Sequence, residues 1–419
     1  WSLTTPIQST SLGSYEYREI LREIQASFSV EGVVISTLIG HSLDVYDLPI
    51  PIVQVLHDYY PWCPPLYATW EQPCSSCDSA RLQQCLPQNP AHQFFGDEKP
   101  DWYLALRERF IYKVTGRAIP VVAPSESVKS RWRQLAPGLT DYPVTVIGHG
   151  LPPWELEAFA DHRWETRDTA QLHLMVLGVL SDHKGGKTLK RLMPELLKRY
   201  RVTLLGAGED APSFGKHPNL TVVKWYQLPD LPETLQNLQP DLGLLLSTVP
   251  ETFSYTLSEL FAAGIPPVAT RLGAFADRIV EGETGWLVEI SGENLLDTLS
   301  QIDADRASLN LVRDRLLSQA QRSTAQMTAD YLDLLPKASP LNATRPLCRS
   351  VVADSGVRLD QGDPTQKALF VRPGAEYRVA LNQFLRYSYH KCQESPQLSR
   401  VTRTLLGWAL RVGMRLSRR

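Results

Sequence analysis

The chain has 419 residues, with 43 basic against 45 acidic side chains, 43% hydrophobic residues and six cysteines. That length holds two or more domains with enough apolar content for true cores, and the balanced charge gives no global field to attract nucleic acid. No run of about eighteen apolar residues is present to cross a bilayer.

The opening Trp1-Ser-Leu-Thr-Thr-Pro6 lacks both an initiator Met and the charged and apolar regions of a secretory signal, so the chain is expected to be a piece of a longer one. Helical periodicity then covers Tyr15 to Phe28, followed by strands at Val33 to Ser36 and Ile52 to Leu56. Next, Cys63, Cys74, Cys77 and Cys85 fall in one stretch of 23 residues. Cys74-x-x-Cys77 is a knuckle-like pair, and with Cys63 and Cys85 it suits a structural tetrahedral zinc that would pin a long loop. Two other readings stand beside it: four reduced thiols packed on the loop, or disulfides in an exported protein. A helix from Trp102 to Val114, a strand from Pro120 to Pro124, a helix from Ser127 and a strand from Val144 to Ile147 follow. Gly148 to Pro153 reads as a hinge.

Beyond it, strands are expected at Leu172 to Leu177, Val202 to Leu205, Thr221 to Lys224, Leu242 to Leu246, Pro267 to Ala269 and Trp286 to Val288. Helical stretches separate most of them, the pattern of a doubly wound parallel sheet, so the fold class is α/β. After Pro336 the composition turns to linker up to about Gln366. In the stretch 397–419, Arg400, Arg403, Arg411, Arg415 and Arg418 share one helical face, opposite Val401, Leu405, Trp408 and Val412. A basic amphipathic helix of this kind suits peripheral contact with an anionic membrane surface, or docking on the rest of the chain through its apolar face.

Pro250-Glu-Thr-Phe-Ser-Tyr-Thr-Leu-Ser-Glu259 carries the most information. It follows the apolar run Asp241 to Ser247 and leads into a short helix closed by Gly264, then Pro266 and another strand. Ligands of open α/β sheets bind beyond the carboxyl ends of strands, over helix N-termini. Glu251 falls in that crevice, and Glu259, two turns along the helix, can face it too. Two carboxylates beside free helix N–H groups suit a ligand both polyhydroxylated and phosphorylated.

The spacing of Glu251 and Glu259, with the following Gly-x-Pro and the segment Gly273 to Val288 containing Thr284-Gly-Trp-Leu-Val288, resembles the retaining nucleotide-sugar glycosyltransferases of family four over about residues 172–335. The resemblance implies a GT-B fold, two Rossmann-like domains facing a cleft. Residues 1–149 would be an acceptor domain incomplete at its start, 150–335 the donor-nucleotide domain, and 336–419 a linker and helical tail. The last helix, expected over Leu309 to Leu335, would cross back to the first domain.

On the same resemblance, the donor is a nucleoside diphosphate sugar, held at Gly178, Lys184, Gly206 and Gly208, with Lys184 on its phosphates. The amides of Thr252, Phe253, Ser254 and Tyr255 would bind the phosphates, Glu259 the ribose hydroxyls, and Glu251 the transferred sugar. Tyr226 is a candidate for the nucleobase pocket. His57 is the acceptor-side candidate, ahead of His41. No catalytic metal is implied. The acceptor would be a glycan or lipid-linked glycan of a surface polysaccharide, rhamnan-type in particular, made in the cytoplasm at the inner face of the membrane.

The chain departs from the family at two places. Val179 stands where an Arg normally follows the glycine, with Lys187 a candidate substitute, and no His-x-His follows Ile35-Ser-Thr37. These departures motivate an alternative, a non-catalytic GT-B partner of a polysaccharide glycosyltransferase. A nucleotide-sugar epimerase of the same fold is a third reading that the motif disfavours.

Overall fold

The computed structural model describes residues 1–89, 91, 99–160, 171–289 and 291–335. The tail helix expected over 397–419, its linker, Cys348 and Cys392 lie outside the described residues.

Helix α1 (Tyr15–Phe28) opens on the Ser14 hydroxyl, which accepts the Tyr17 amide. Four parallel strands follow in sequence order across one sheet: β1 (Val33–Ile35), β2 (Ile52–Val55), β3 (Val121–Ala123) and β4 (Val144–Val146). Helices α2 (Ser79–Gln88) and α3 (Pro100–Gly116) lie between β2 and β3, and α4 (Glu126–Leu135) between β3 and β4. All four residues of β2 are buried, as expected where helices cover both faces of a parallel sheet. One face holds Trp62, set edge-on to Phe110 at 5.2 Å and to Trp132 at 5.4 Å between ring centroids.

After α5 (Pro153–Ala160) a second sheet forms from β5 (His173–Leu177), β6 (Arg201–Leu205), β7 (Leu220–Val223), β8 (Leu242–Leu245), β9 (Pro267–Thr270) and β10 (Trp286–Val288). They are all parallel, in the order β7-β6-β5-β8-β9-β10. The helices are α6 (Gly186–Arg199), α7 (Leu231–Leu238), α8 (Tyr255–Ala262), α9 (Ala274–Arg278), α10 (Leu295–Ala304), α11 (Arg306–Ser318) and α12 (Thr324–Asp333). Period-two alternation puts Leu174 and Val176 in the core under α6, and Met175 and Leu177 in the core under α8. The chain moves from one wing of the sheet to the other between β5 and β8. A crevice opens at such a switch point.

The expected strands form within a residue or two of their places. The single helix expected over Leu309 to Leu335 does not: α11 and α12 are separate. Ser323 starts α12 with a reciprocal capping box to Gln326. The break lets the chain pin the hinge, where the Leu151 amide donates to Arg322 O (2.9 Å) and the Thr324 amide to Leu151 O (2.8 Å). A Cβ on Gly150 would sit 2.1 Å from the Ser323 carbonyl, so this close approach requires glycine. Beyond the hinge, Met327, Tyr331 and Leu334 of α12 and its flank cover Val53, Val55, Val122 and Ile147 of the first sheet, which is the crossing-back that was expected.

The zinc expected at Cys63, Cys74, Cys77 and Cys85 is not supported. Among the described residues no group of three or more His, Cys, Asp or Glu side chains is arranged to hold a metal ion, and the four thiols are free. The loop has other means of order. Buried Arg107 donates to Pro61 O (3.3 Å), Cys77 O (2.6 Å), Trp62 O and Cys77 Sγ (3.2 Å). Arg131 donates to Cys74 O at 2.6 Å, and Arg81 to Trp70 O at 3.2 Å. Burial holds Cys63, Cys77 and Cys85 as thiols, their pKa raised above the usual value.

Candidate active site at the inter-sheet cleft

At the carboxyl end of β5 the chain turns through Gly178, which needs glycine at φ +98°, and runs by Ser181 to Gly185 into α6. At the end of β8 it runs through Ser247 to Ser254 into α8. Hydrogen bonds tie these loops together: the Thr248 amide donates to His183 O (2.9 Å), Ser247 Oγ to the same carbonyl (3.0 Å), and Thr248 Oγ1 to Asp182 O (3.3 Å). Gly185 is forced by the contact, since a Cβ there would lie 1.9 Å from Leu246 O.

This bracing brings Lys184 Nζ to 2.6 Å from Glu251 Oε1. Glu251 is also held from behind: the Ala274 amide donates to its carbonyl (2.8 Å), and a Cβ on Gly273 would strike its backbone at 2.5 Å. A cavity of about 70 Å³ lies between the loops, lined by Gly178, Val179, Lys184, Glu251, Ser254 and Thr256.

Ser254 caps α8, accepting the Leu257 amide at 3.2 Å, in a left-handed backbone with φ +70° that a non-glycine residue rarely adopts. Thr252, Phe253 and Ser254 precede the helix and Tyr255 begins it, so free N–H groups gather there. The Phe253 side chain is structural. Buried against His149 at 4.8 Å, it lies under the Arg278 guanidinium at 4.0 Å. Arg278 donates to Phe253 O (2.7 Å), Ser254 O (3.0 Å) and Ser258 Oγ (2.7 Å), which fixes the turn.

Glu259, on the second turn of α8, is 8% exposed. Burial first, and the neighbouring Glu155 second, push its carboxyl up to about 7. Tyr226 lies beside it, and its ring leaves no room for a Cβ on Gly206 (2.7 Å). A Cβ on Gly208 would meet Val179 Cγ1 at 3.1 Å. Val179 itself is 56% exposed, so the position where the resemblance expects an arginine faces solvent without a charge. Lys187, the candidate substitute, pairs with Asp182 at 2.6 Å, both side chains largely exposed.

From the first sheet, His57 follows β2 and stacks on His149 at 5.0 Å; His149 stacks on Tyr255 at 5.4 Å, nearly coplanar. Burial, with the charges of His57 and Arg278, lowers His149 to about 4, so it stays neutral. Asp58, beside His57, is raised to about 6 by burial. His41 is tied to α1 instead, its Nδ1 at 2.7 Å from Tyr17 Oη. Ser125 caps α4, accepting the Val128 amide at 3.3 Å.

Sequence reasoning missed four residues here. Tyr67, on the cysteine-rich loop between Leu66 (φ +74°) and Ala68 (φ +48°), reaches across to stack on His183 at 5.0 Å. Arg278 and Glu155 sit on short helices where one buried charge gives no periodic signal. His149 was visible within the hinge, but its stacking partners were not.

Comparison with known proteins fits this architecture. Residues 171–305 match the family described as Glycosyl transferases group 1. Among solved structures, the fold is similar to a glycosyltransferase from Rickettsia africae ESF-5 (TM-score 0.53, 15% identity, covering 76% of this chain and 79% of that one). It is also similar to sucrose-phosphate synthase from Thermosynechococcus elongatus (TM-score 0.51, 14% identity, 76% of each chain). A third is the Anabaena protein HepE in complex with UDP (TM-score 0.50, 14% identity, 75% of this chain and 80% of that one). At such identities the likeness establishes the fold, which is GT-B. A search of curated proteins finds no match.

Proposed function

We propose that the chain is a glycosyltransferase that moves a sugar, with retention, from a nucleoside diphosphate donor to a glycan or lipid-linked glycan, as in surface-polysaccharide synthesis of the rhamnan type. The observation that carries this reading is the Lys184–Glu251 pair at the switch-point crevice, flanked by the N-terminus of α8 and by buried Glu259. The domains involved are residues 1–149 on the acceptor side and 150–335 on the donor side.

Sugar transfer leaves negative charge on the departing diphosphate, and groups fixed where that charge develops lower the barrier. On this reading Lys184 Nζ and the amides of Thr252 to Tyr255 receive it. In the ligand-free chain Lys184 is neutralised by Glu251; a bound diphosphate takes over the ammonium and frees Glu251 for the hydroxyls of the transferred sugar. Glu259 accepts the ribose diol, two hydroxyl donors to one carboxylate. His57, stacked on His149 and through it on Tyr255, would serve the acceptor side, and Tyr67 stacks on His183 next to Lys184. Closing the cleft about residues 148–153 excludes water and favours transfer over hydrolysis.

One observation favours a second reading. The uncharged, exposed Val179 suits a GT-B partner that keeps nucleotide binding and serves assembly rather than turnover. A thermal-shift screen against UDP, GDP, dTDP and their sugar conjugates tests the donor site, since a ligand at about a hundred times its Kd adds about 2.7 kcal/mol. A shift with one nucleotide series, lost in Glu259→Ala, supports the site. Release of sugar from that donor then separates the transferase from the partner, and no shift at all counts against both.

A further inference from the structure

Behind the proposed ribose site lies a second carboxyl group. Glu155, in the first turn of α5, is 1% exposed, and its Oε1 has no hydrogen-bond partner. Helix α5 packs on α7 and α8, and burial, with the charges of Glu259 and then Glu155, raises the Tyr226 phenol. The other charges on these elements point away: Glu157 of α5 and Glu233 of α7 are exposed. Arg278 of α9 spends its donors on Phe253 O, Ser254 O and Ser258 Oγ. Among the described residues neither Glu155 nor Glu259 enters an ion pair. Among the described residues the cluster is therefore two buried carboxyl groups and a half-buried phenol without a cation.

Resting on the nucleotide-sugar reading above, we propose that Glu155 and Glu259 share one proton behind the crevice, and that docking of the donor's ribose expels it. Without a ligand, two carboxylates in one desolvated pocket do not both ionise at neutral pH, so the pair titrates as a unit. Glu155 is the less exposed group, and its charge helps to hold Glu259 protonated in the unliganded chain. On the nucleotide-sugar reading Glu259 is the group that meets the ribose, and it must ionise to accept two hydroxyl hydrogen bonds. The balance is simple: the protonated pair and the diol give the diol bound to Glu259 carboxylate, and one proton passes to solvent. Glu155 is thus a positioning residue. It never touches the ribose, yet it sets how readily Glu259 ionises. Both carboxyl groups are raised by burial, in the direction this arrangement requires.

The test is calorimetric titration with UDP-glucose, GDP-mannose and dTDP-glucose, whose diphosphates do not themselves titrate near neutral pH. Each is measured between about pH 6 and 8 in buffers of different ionisation enthalpy. The donor that binds should tighten by up to about tenfold per pH unit below the pair's titration, and release a fraction of a proton near neutrality. Glu155→Gln should bind it about tenfold more tightly than wild type at the acid end, with little proton release. Donor binding that is flat with pH and releases no proton overturns the shared proton and leaves the nucleotide reading standing. Binding of none of the three overturns both. Should Glu155→Gln not fold, carbon-13 carboxyl NMR of the unliganded wild type decides the matter. One glutamate titrating near neutral pH and absent from Glu259→Gln is expected, and all glutamates titrating in the ordinary carboxylate range overturns the pair.

Discussion

Replacing Lys184 by Met separates the ligand-binding role of this residue from its structural one. Its ammonium is 44% exposed and its partner Glu251 12% exposed. A pair with one such exposed member contributes at most about 1 kcal/mol to stability, because solvent screens it and two side chains must be ordered. Met keeps the aliphatic stem, so the melting temperature should fall by no more than about 2 °C. A diphosphate oxygen held by the same ammonium is a charge-assisted hydrogen bond, worth about 1.5–3 kcal/mol and hence about 10–100-fold in affinity. Titration calorimetry with the nucleoside diphosphate identified by the screen, beside the bare nucleoside, reads the difference. The diphosphate should lose that factor and the nucleoside almost nothing. An equal loss for both ligands, or none for either, would show that Lys184 does not hold the phosphates, and the crevice assignment would fail with it.

Two further outcomes follow from the geometry. Glu259 is raised from 4.5 to about 7, so the unliganded folded chain binds more protons than the unfolded chain between those values, and stability falls as pH rises through that window. The full loss is about 3 kcal/mol for a shift of this size. Glu259→Gln should flatten it and stabilise the unliganded protein at about pH 8 while weakening nucleotide binding, as read by denaturant midpoints; a variant no more stable than wild type there would contradict the burial argument. Gly185→Ala and Gly282→Ala form a pair, at φ +83° and +71°. A Cβ at Gly185 meets Leu246 O at 1.9 Å, whereas nothing lies within 4 Å of one at Gly282. Both carry the left-handed penalty of about 1–2 kcal/mol, but only Gly185→Ala should exceed it, by about 1–3 kcal/mol of backbone displacement. Equal midpoints for the two would refute the claim that Gly185 is required by contact.

Much of the second sheet was legible because its signal is local. Runs such as His173–Leu177 and Leu242–Leu245 are continuous, apolar and bounded by glycine or by Pro-Glu, and each helix N-terminus is set by the residues beside it. Glu251 lines the crevice for the same reason, since a strand end fixes its position. The helix expected over Leu309 to Leu335 failed on a local signal read too weakly. Ser323 and Gln326 have the spacing of a capping box, which marks a start inside an otherwise helical stretch. The cysteines failed differently. Their spacing fits a metal, but the three arginines that order the loop come from positions 81, 107 and 131, and no spacing rule connects them.

What the sequence leaves out is the part of the site that the two sheets build together. His57, His149 and Tyr255 form one stack although 92 and 106 residues separate the last two from the first and from His149 respectively. Tyr67 and His183 meet only because the arginine-held loop extends over the Lys184–Glu251 pair. These contacts pair aromatic faces drawn from opposite sides of the cleft. Each half alone is an ordinary ring beside a loop, so neither carries a periodic or motif signal. The division has a functional consequence. On the proposed reading the donor's partners come from the strand ends of the second sheet, where local sequence suffices to specify them. Acceptor choice would depend on how two independently folded sheets meet, so substitutions at Tyr67, His57 or His149 should alter which glycan is accepted before they alter which nucleotide is bound.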